Sequence, residues 1–218
     1  MFPRKAKTVL LSFLLVFQSL LTFAQVIEPK HTFNIELGLP NGLSNPAFKN
    51  IMQGLVNVSA YYQYDFKYHL TLGIGGRYGY FGINEFKVPS PVLGGGHSAG
   101  GFLKVGYQKF MGPRFAMDLG LKVGYSQFWF KTNRNDTLGI NPVVTDGIHI
   151  EPTVGLILTA DEQNSYRFFV SYQAYGFAFK PSMIGLETFG GYDPADFGKP
   201  TGCLVIGFGY TYYFVKKE

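Results

Sequence analysis

After Leu21 the chain has no run of about 20 continuous apolar residues, which excludes a membrane-spanning helix from the body of the sequence. It has one cysteine, Cys203, so an internal disulfide framework is excluded as well. Charge is scarce, at 15% of residues, and never gathers into a block. The formal net charge of +5 overstates the basic balance, because Arg4, Lys5 and Lys7 crowd the first seven positions. From residue 25 onward sixteen basic residues face fourteen acidic ones, a net of +2, which gives no support to nucleic-acid binding. Linkers, low-complexity tracts and composition breaks are also missing, so residues 25–218 read as one domain.

What is present begins with a basic head, MFPRKAK, an apolar run from Val9 to Leu21, and small Ala24 before Gln25. That order predicts a secretory signal peptide over residues 1–24, cut after Ala24, and an exported domain over residues 25–218. The chain also holds 22 Phe, 15 Tyr and 28 Gly, a composition that suits strands and not helices.

The strands declare themselves by alternation. In TGCLVIGFGYTYYF, Leu204, Ile206, Phe208, Tyr210, Tyr212 and Phe214 fall on one face, with Cys203, Val205, Gly207, Gly209, Thr211 and Tyr213 on the other. The same period recurs in Thr32–Leu39, Val56–Tyr64, Leu70–Tyr80, Gly101–Lys109, Phe115–Trp129, Ile148–Leu158 and Phe168–Ala174. Eight strands are an even count, as closure of an antiparallel barrel requires. The connections alternate: 40–52, 81–98, 131–146 and 178–200 are long, and 65–68, 111–114 and 161–165 are short. Short turns at one end and long loops at the other, with few charges to cover a soluble surface, predict an all-β, eight-stranded antiparallel transmembrane β-barrel. The apolar face would then meet lipid and the small, polar face the lumen.

These features resemble the small eight-stranded outer-membrane β-barrel family of Gram-negative bacteria, of the OmpA/OmpX architecture. The closing Gly209, Tyr210, Tyr212 and Phe214 are similar to the terminal-strand signal read by the barrel-assembly machinery, although Val215–Glu218 follow the final aromatic. The resemblance implies a cell outer-membrane location, with the long loops extracellular and both termini periplasmic. It also implies contact with outer-membrane lipid and lipopolysaccharide.

The lumen-facing positions carry three acids, Glu36, Asp118 and Glu151, and three bases, Arg77, Lys104 and Lys122, with His149 on the same face. An eight-stranded barrel is just wide enough inside for side chains to fill. Isolated charges there are costly and hydrogen-bonded pairs are tolerated, so a paired network plugging the lumen is expected, with glycines making room. The alternatives are a small gated channel and a lipid A-modifying hydrolase. The hydrolase reading needs a Ser-His pairing that the sequence does not supply. His149 and Glu151 share one strand face but lack a third ligand, so no metal is expected. Gly73–Gly79 has the glycines of a phosphate loop without the helix such a loop needs, so no cofactor is expected.

In the loops, Met183, Ile184, Leu186, Phe189 and Tyr192 are more apolar than a solvated loop needs. They are expected either to pack on the barrel rim or to meet a membrane protein partner or extracellular ligand. The function expected from all this is a non-enzymatic structural or interaction barrel.

Overall fold

The computed structural model describes residues 29–88, 92–186 and 194–214. The expected signal peptide, residues 1–24, and Val215–Glu218 lie outside the described residues. Eight strands follow in order: β1 (His31–Ser44), β2 (Met52–Asp65), β3 (Leu70–Ile83), β4 (Gly94–Phe110), β5 (Phe115–Thr132), β6 (Val143–Thr159), β7 (Asn164–Tyr175) and β8 (Gly202–Tyr213). Each pairs antiparallel with its neighbour, and β8 pairs back onto β1 from Thr32↔Tyr213 to Ser44↔Gly202, so the sheet closes into an up-and-down barrel.

Burial is inverted relative to a soluble barrel. On β1 the outward Leu37 is 56% exposed and on β8 Phe208 is 70% exposed, while Lys104 and Asp118 inside are 0% exposed. This follows from the period of two: outward positions are mostly apolar and inward ones mostly small or polar, with Tyr61, Phe102 and, near the long loops, Phe81, Phe128 and Phe130 among the inward exceptions. Aromatic rings gather at the short-turn end of the outer wall, where Tyr62 and Tyr212 contact Phe214 and Tyr166 contacts Tyr210. Tyr78, Tyr80 and His97 gather at the long-loop end.

The strands run further than alternation alone predicts. β4 starts at Gly94, not Gly101, and β6 at Val143, not Ile148. Gly94–Gly96 offers no side chains to alternate, and Asp146 and Gly147 break the apolar rhythm. The ladder nevertheless continues, with Gly94↔Thr132 and Gly147↔Ser126 in register, because the backbone groups still need partners. The first three long connections accordingly shrink to 45–51, 84–93 and 133–142, the last widens to 176–201, and the short ones are 66–69, 111–114 and 160–163. Two short helices sit in the long connections, α1 (Pro46–Ile51) and α2 (Asn133–Thr137).

Candidate functional site

The interior is the part of the molecule where chemistry concentrates, and it is layered along the barrel axis. Its middle layer is ionic. Glu36 on β1, Arg77 on β3, Lys104 on β4, Asp118 and Lys122 on β5 and Glu151 on β6 all point inward and are buried. Lys104 Nζ lies 3.0 Å from both oxygens of Asp118 and donates to Gln63 Oε1 at 2.7 Å. Lys122 Nζ lies 2.5 Å from Glu36 Oε2 and 3.5 Å from Glu151 Oε1, and Arg77 contacts Glu151 directly.

Lys104 and Lys122 stand directly opposite across the β4–β5 ladder, where like charges repel. The conflict is relieved because each turns to a different acid. Their ammonium groups also lie over aromatic rings: Lys104 is 5.1 Å from the Tyr61 ring centre, and Lys122 is 5.2 Å from that of Phe102.

A residue that the sequence reading missed joins the two halves of this network. Arg167, on β7, is buried, pairs with Glu36 through Nε at 3.3 Å and contacts Asp118. It also donates to Tyr61 Oη at 3.2 Å, and that hydroxyl donates to Glu36 Oε1 at 2.9 Å. One continuous path therefore runs Arg77–Glu151–Lys122–Glu36–Arg167–Asp118–Lys104. Arg167 lies one residue before the segment in which alternation is visible. Its parity with Phe169 and Ser171 places it inside, and extending the strand by one residue would have found it.

Glycines provide the space. A Cβ at Gly155 would stand 2.8 Å from Arg167 Nε, and one at Gly120 would stand 2.8 Å from Lys104 Cε. At both positions the charged side chain lies in the volume that a larger residue would take.

Next to the ionic layer, toward the long loops, His149 Nδ1 and Ser126 Oγ are 2.9 Å apart, a pairing the sequence did not disclose. Both are buried, and among the described residues His149 Nε2 has no hydrogen-bond partner.

Above them the interior turns apolar. Phe81, Phe128 and Phe130 from the strands meet Phe48 and Ile51 of α1 and Phe177, Phe179, Ile184 and Leu186 of the last long connection, with Cys203 among them. This cap is tied to the rim by side-chain bonds to backbone. Asn45 Nδ2 donates to the carbonyls of Phe179 and Lys199 at 3.0 and 2.9 Å, and Asn135 Nδ2 donates to that of Met183 at 2.9 Å.

The cap changes the picture of the loop residues. Ile184 is 0% and Leu186 5% exposed, and Met183 is partly buried against the same cluster. Their burial supplies part of the apolar filling of the barrel mouth. Phe189 and Tyr192 lie outside the described residues. Exposed apolar side chains at this end include Phe86, 99% exposed on the turn Glu85–Lys87, Leu93 before β4, and Leu138 and Ile140 after α2. In the closing strand, Tyr210 and Phe214 face outward and exposed, Tyr212 is half-buried beside them, and Gly209 faces in beside Glu36.

Apolar outside, ionic and capped inside, and closed through eight antiparallel strands, the chain has the architecture of an eight-stranded transmembrane β-barrel. Compared with solved structures, it is similar to Neisserial surface protein A, with a TM-score of 0.56 at 12% identity over 84% of this chain and 97% of that one. It is also similar to Ail, the attachment invasion locus protein of Yersinia pestis, in complex with the heparin analogue sucrose octasulfate, with a TM-score of 0.50 at 11% identity over 85% and 99%. No family model and no curated protein matches the sequence. At these identities the likeness speaks for the fold alone.

Proposed function

We propose that the protein is a non-enzymatic outer-membrane barrel with a side-chain-plugged lumen, serving as a structural or interaction component through its long loops. The observation that carries this reading is the occupied interior: seven charged side chains cross-linked by ion pairs, beneath an apolar cap. A solute would have to displace both layers, and breaking buried ion pairs is costly.

The long loops belong outside the cell and both termini in the periplasm, by the rule that outer-membrane barrels keep short turns on the periplasmic side. Gly209, Tyr210, Tyr212 and Phe214 serve assembly by the barrel-assembly machinery. Partner contact is assigned to the exposed apolar tips, Phe86 first, and to Phe189 and Tyr192, in place of the cap residues Met183, Ile184 and Leu186. The outer wall meets membrane lipid and lipopolysaccharide.

Location and orientation are tested by labelling single-cysteine variants on intact cells in a Cys203→Ser background. Phe86→Cys should react with an impermeant maleimide and Glu162→Cys should not. The reverse pattern overturns the orientation. Lipid A mass spectra from cells with and without the protein should coincide, and a lost acyl chain would establish the hydrolase alternative.

A further inference from the structure

The interior ion path alternates in sign and ends on a cation at both sides, Lys104 toward the short turns and Arg77 toward the long loops. Its charges do not balance. Arg77, Lys104, Lys122 and Arg167 are four bases against the three acids Glu36, Asp118 and Glu151, all of them buried. At the Lys104 end the excess is met further on: Lys104 donates to Gln63, whose Nε2 donates at 2.8 Å to Asp65, a half-buried acid at the short-turn mouth. At the Arg77 end no second acid follows among the described residues. Arg77 shares Glu151 with Lys122, and an incompletely compensated charge in a closed, low-dielectric interior is the costly case.

The spare polar groups around Arg77 are donors. Its own Nε and Nη1 have no hydrogen-bond partner among the described residues. The guanidinium lies 5.7 Å from the centre of the Phe102 ring, and the His149 ring lies 6.4 Å from the same centre. With Ser126 Oγ donating to Nδ1 at 2.9 Å, His149 presents a protonated Nε2 that is also unpartnered. Tyr175, 6.2 Å from His149 between ring centres, donates through Oη to Gln173 Oε1 at 2.7 Å, which leaves the buried Gln173 Nε2 spare as well. Buried donors are nearly always satisfied by protein, water or an ion. Water satisfies donors but leaves the extra positive charge in place. A small anion answers both.

We propose that the layer between the ion path and the apolar cap binds a small monovalent inorganic anion, chloride, held by Arg77 Nε and Nη1 and by His149 Nε2. The anion continues the alternation by one member beyond Arg77. A divalent oxyanion would reverse the imbalance instead of removing it. Phe81 and Phe128 of the cap close the layer toward the long loops, so the anion is captured as the barrel folds and exchanges slowly afterwards. The proposal rests on the reading of the lumen as plugged and capped.

Bromide is the probe. The full-length protein is refolded in detergent with bromide, passed by gel filtration into a sulfate buffer, and its retained bromine is counted by elemental mass spectrometry. Wild type should retain bromide equimolar with the barrel. Arg77→Gln removes the excess charge and should retain none. Glu151→Gln breaks the same ion pair but enlarges the excess, and should keep the bromide. Heat-modifiable mobility verifies folding, and if Arg77→Gln does not fold, His149→Phe, which leaves every ion pair in place, takes its part and should lower retention. Wild type without bromide overturns the proposal. Unchanged retention in the folded variant marks an adventitious ion only and overturns it too. Equal loss in Arg77→Gln and Glu151→Gln does the same, because disrupted packing and not charge would then explain the effect. Planar-bilayer currents from wild type would overturn the plugged-lumen reading itself, whereas a silent barrel without bromide overturns the anion site alone.

Discussion

Among the described residues Lys104 pairs with one acid, Asp118. Its ammonium sits 3.0 Å from both oxygens of Asp118, and its other polar contact is Gln63. Asp118→Asn therefore strands a buried cation, whereas Arg167 retains Glu36 as a partner. Removing one partner of a buried pair costs about 3–5 kcal/mol, against about 0–1 kcal/mol for an exposed pair. With a urea m-value of about 2 kcal/mol/M, the midpoint should fall by roughly 1.5–2.5 M. Lys104→Met costs less, because Asp118 keeps Arg167. The double variant Asp118→Asn/Lys104→Met removes the stranded charge and should recover a large part of the loss. Lys199→Ala, which breaks the exposed pair with Asp196 at 2.7 Å, is the control and should stay within about 1 kcal/mol of wild type. The assay is urea unfolding in detergent micelles, read by heat-modifiable mobility. If Asp118→Asn behaves like Lys199→Ala, or the double variant is no better than the single, the interior charges are independently hydrated and the network argument fails.

Arg77→Ala, which leaves Glu151 with Lys122 alone at 3.5 Å, should lower the same midpoint, and Lys180→Gln in the loop should not; circular-dichroism melts in detergent would check both. Phe179→Ala in the cap should cost about 3–5 kcal/mol, while Leu103→Ala on the lipid face should cost much less, because only the first leaves a cavity in a packed interior; urea midpoints compare them. In the 160–163 turn, the Asn164 side chain and then the Gln163 amide hold the Asp161 carboxyl below its ordinary range. A carboxyl lowered on folding stabilises above its unfolded pKa and loses that contribution as pH falls through the folded one. Asp161→Asn should therefore destabilise at neutral pH and match wild type in strong acid, as paired denaturation curves would read.

Alternation made the barrel legible because lipid outside and polar groups inside impose opposite chemistry on adjacent residues. Leu70 to Tyr80 shows both faces, and their burial follows that order. The same rule failed where a strand carries no large side chains, at Gly94–Gly96, and one residue beyond the visible rhythm, at Arg167. Which acid meets which base depends on strand tilt and stagger, which residue parity does not encode. Ser126 and His149 illustrate the limit, since they are brought together across β5–β6 diagonally and not as register partners. The cap was the least legible element. Ile184 and Leu186 read as loop residues until the last long connection is seen folding over the barrel mouth onto α1.

The central claim, that the interior is closed by paired charges beneath an apolar cap, is tested most directly by planar-bilayer recording of the refolded wild-type protein. The account predicts a silent membrane across applied voltages of either sign, at protein amounts for which heat-modifiable mobility verifies insertion. Reproducible unitary current steps from wild type would contradict it and establish the channel instead.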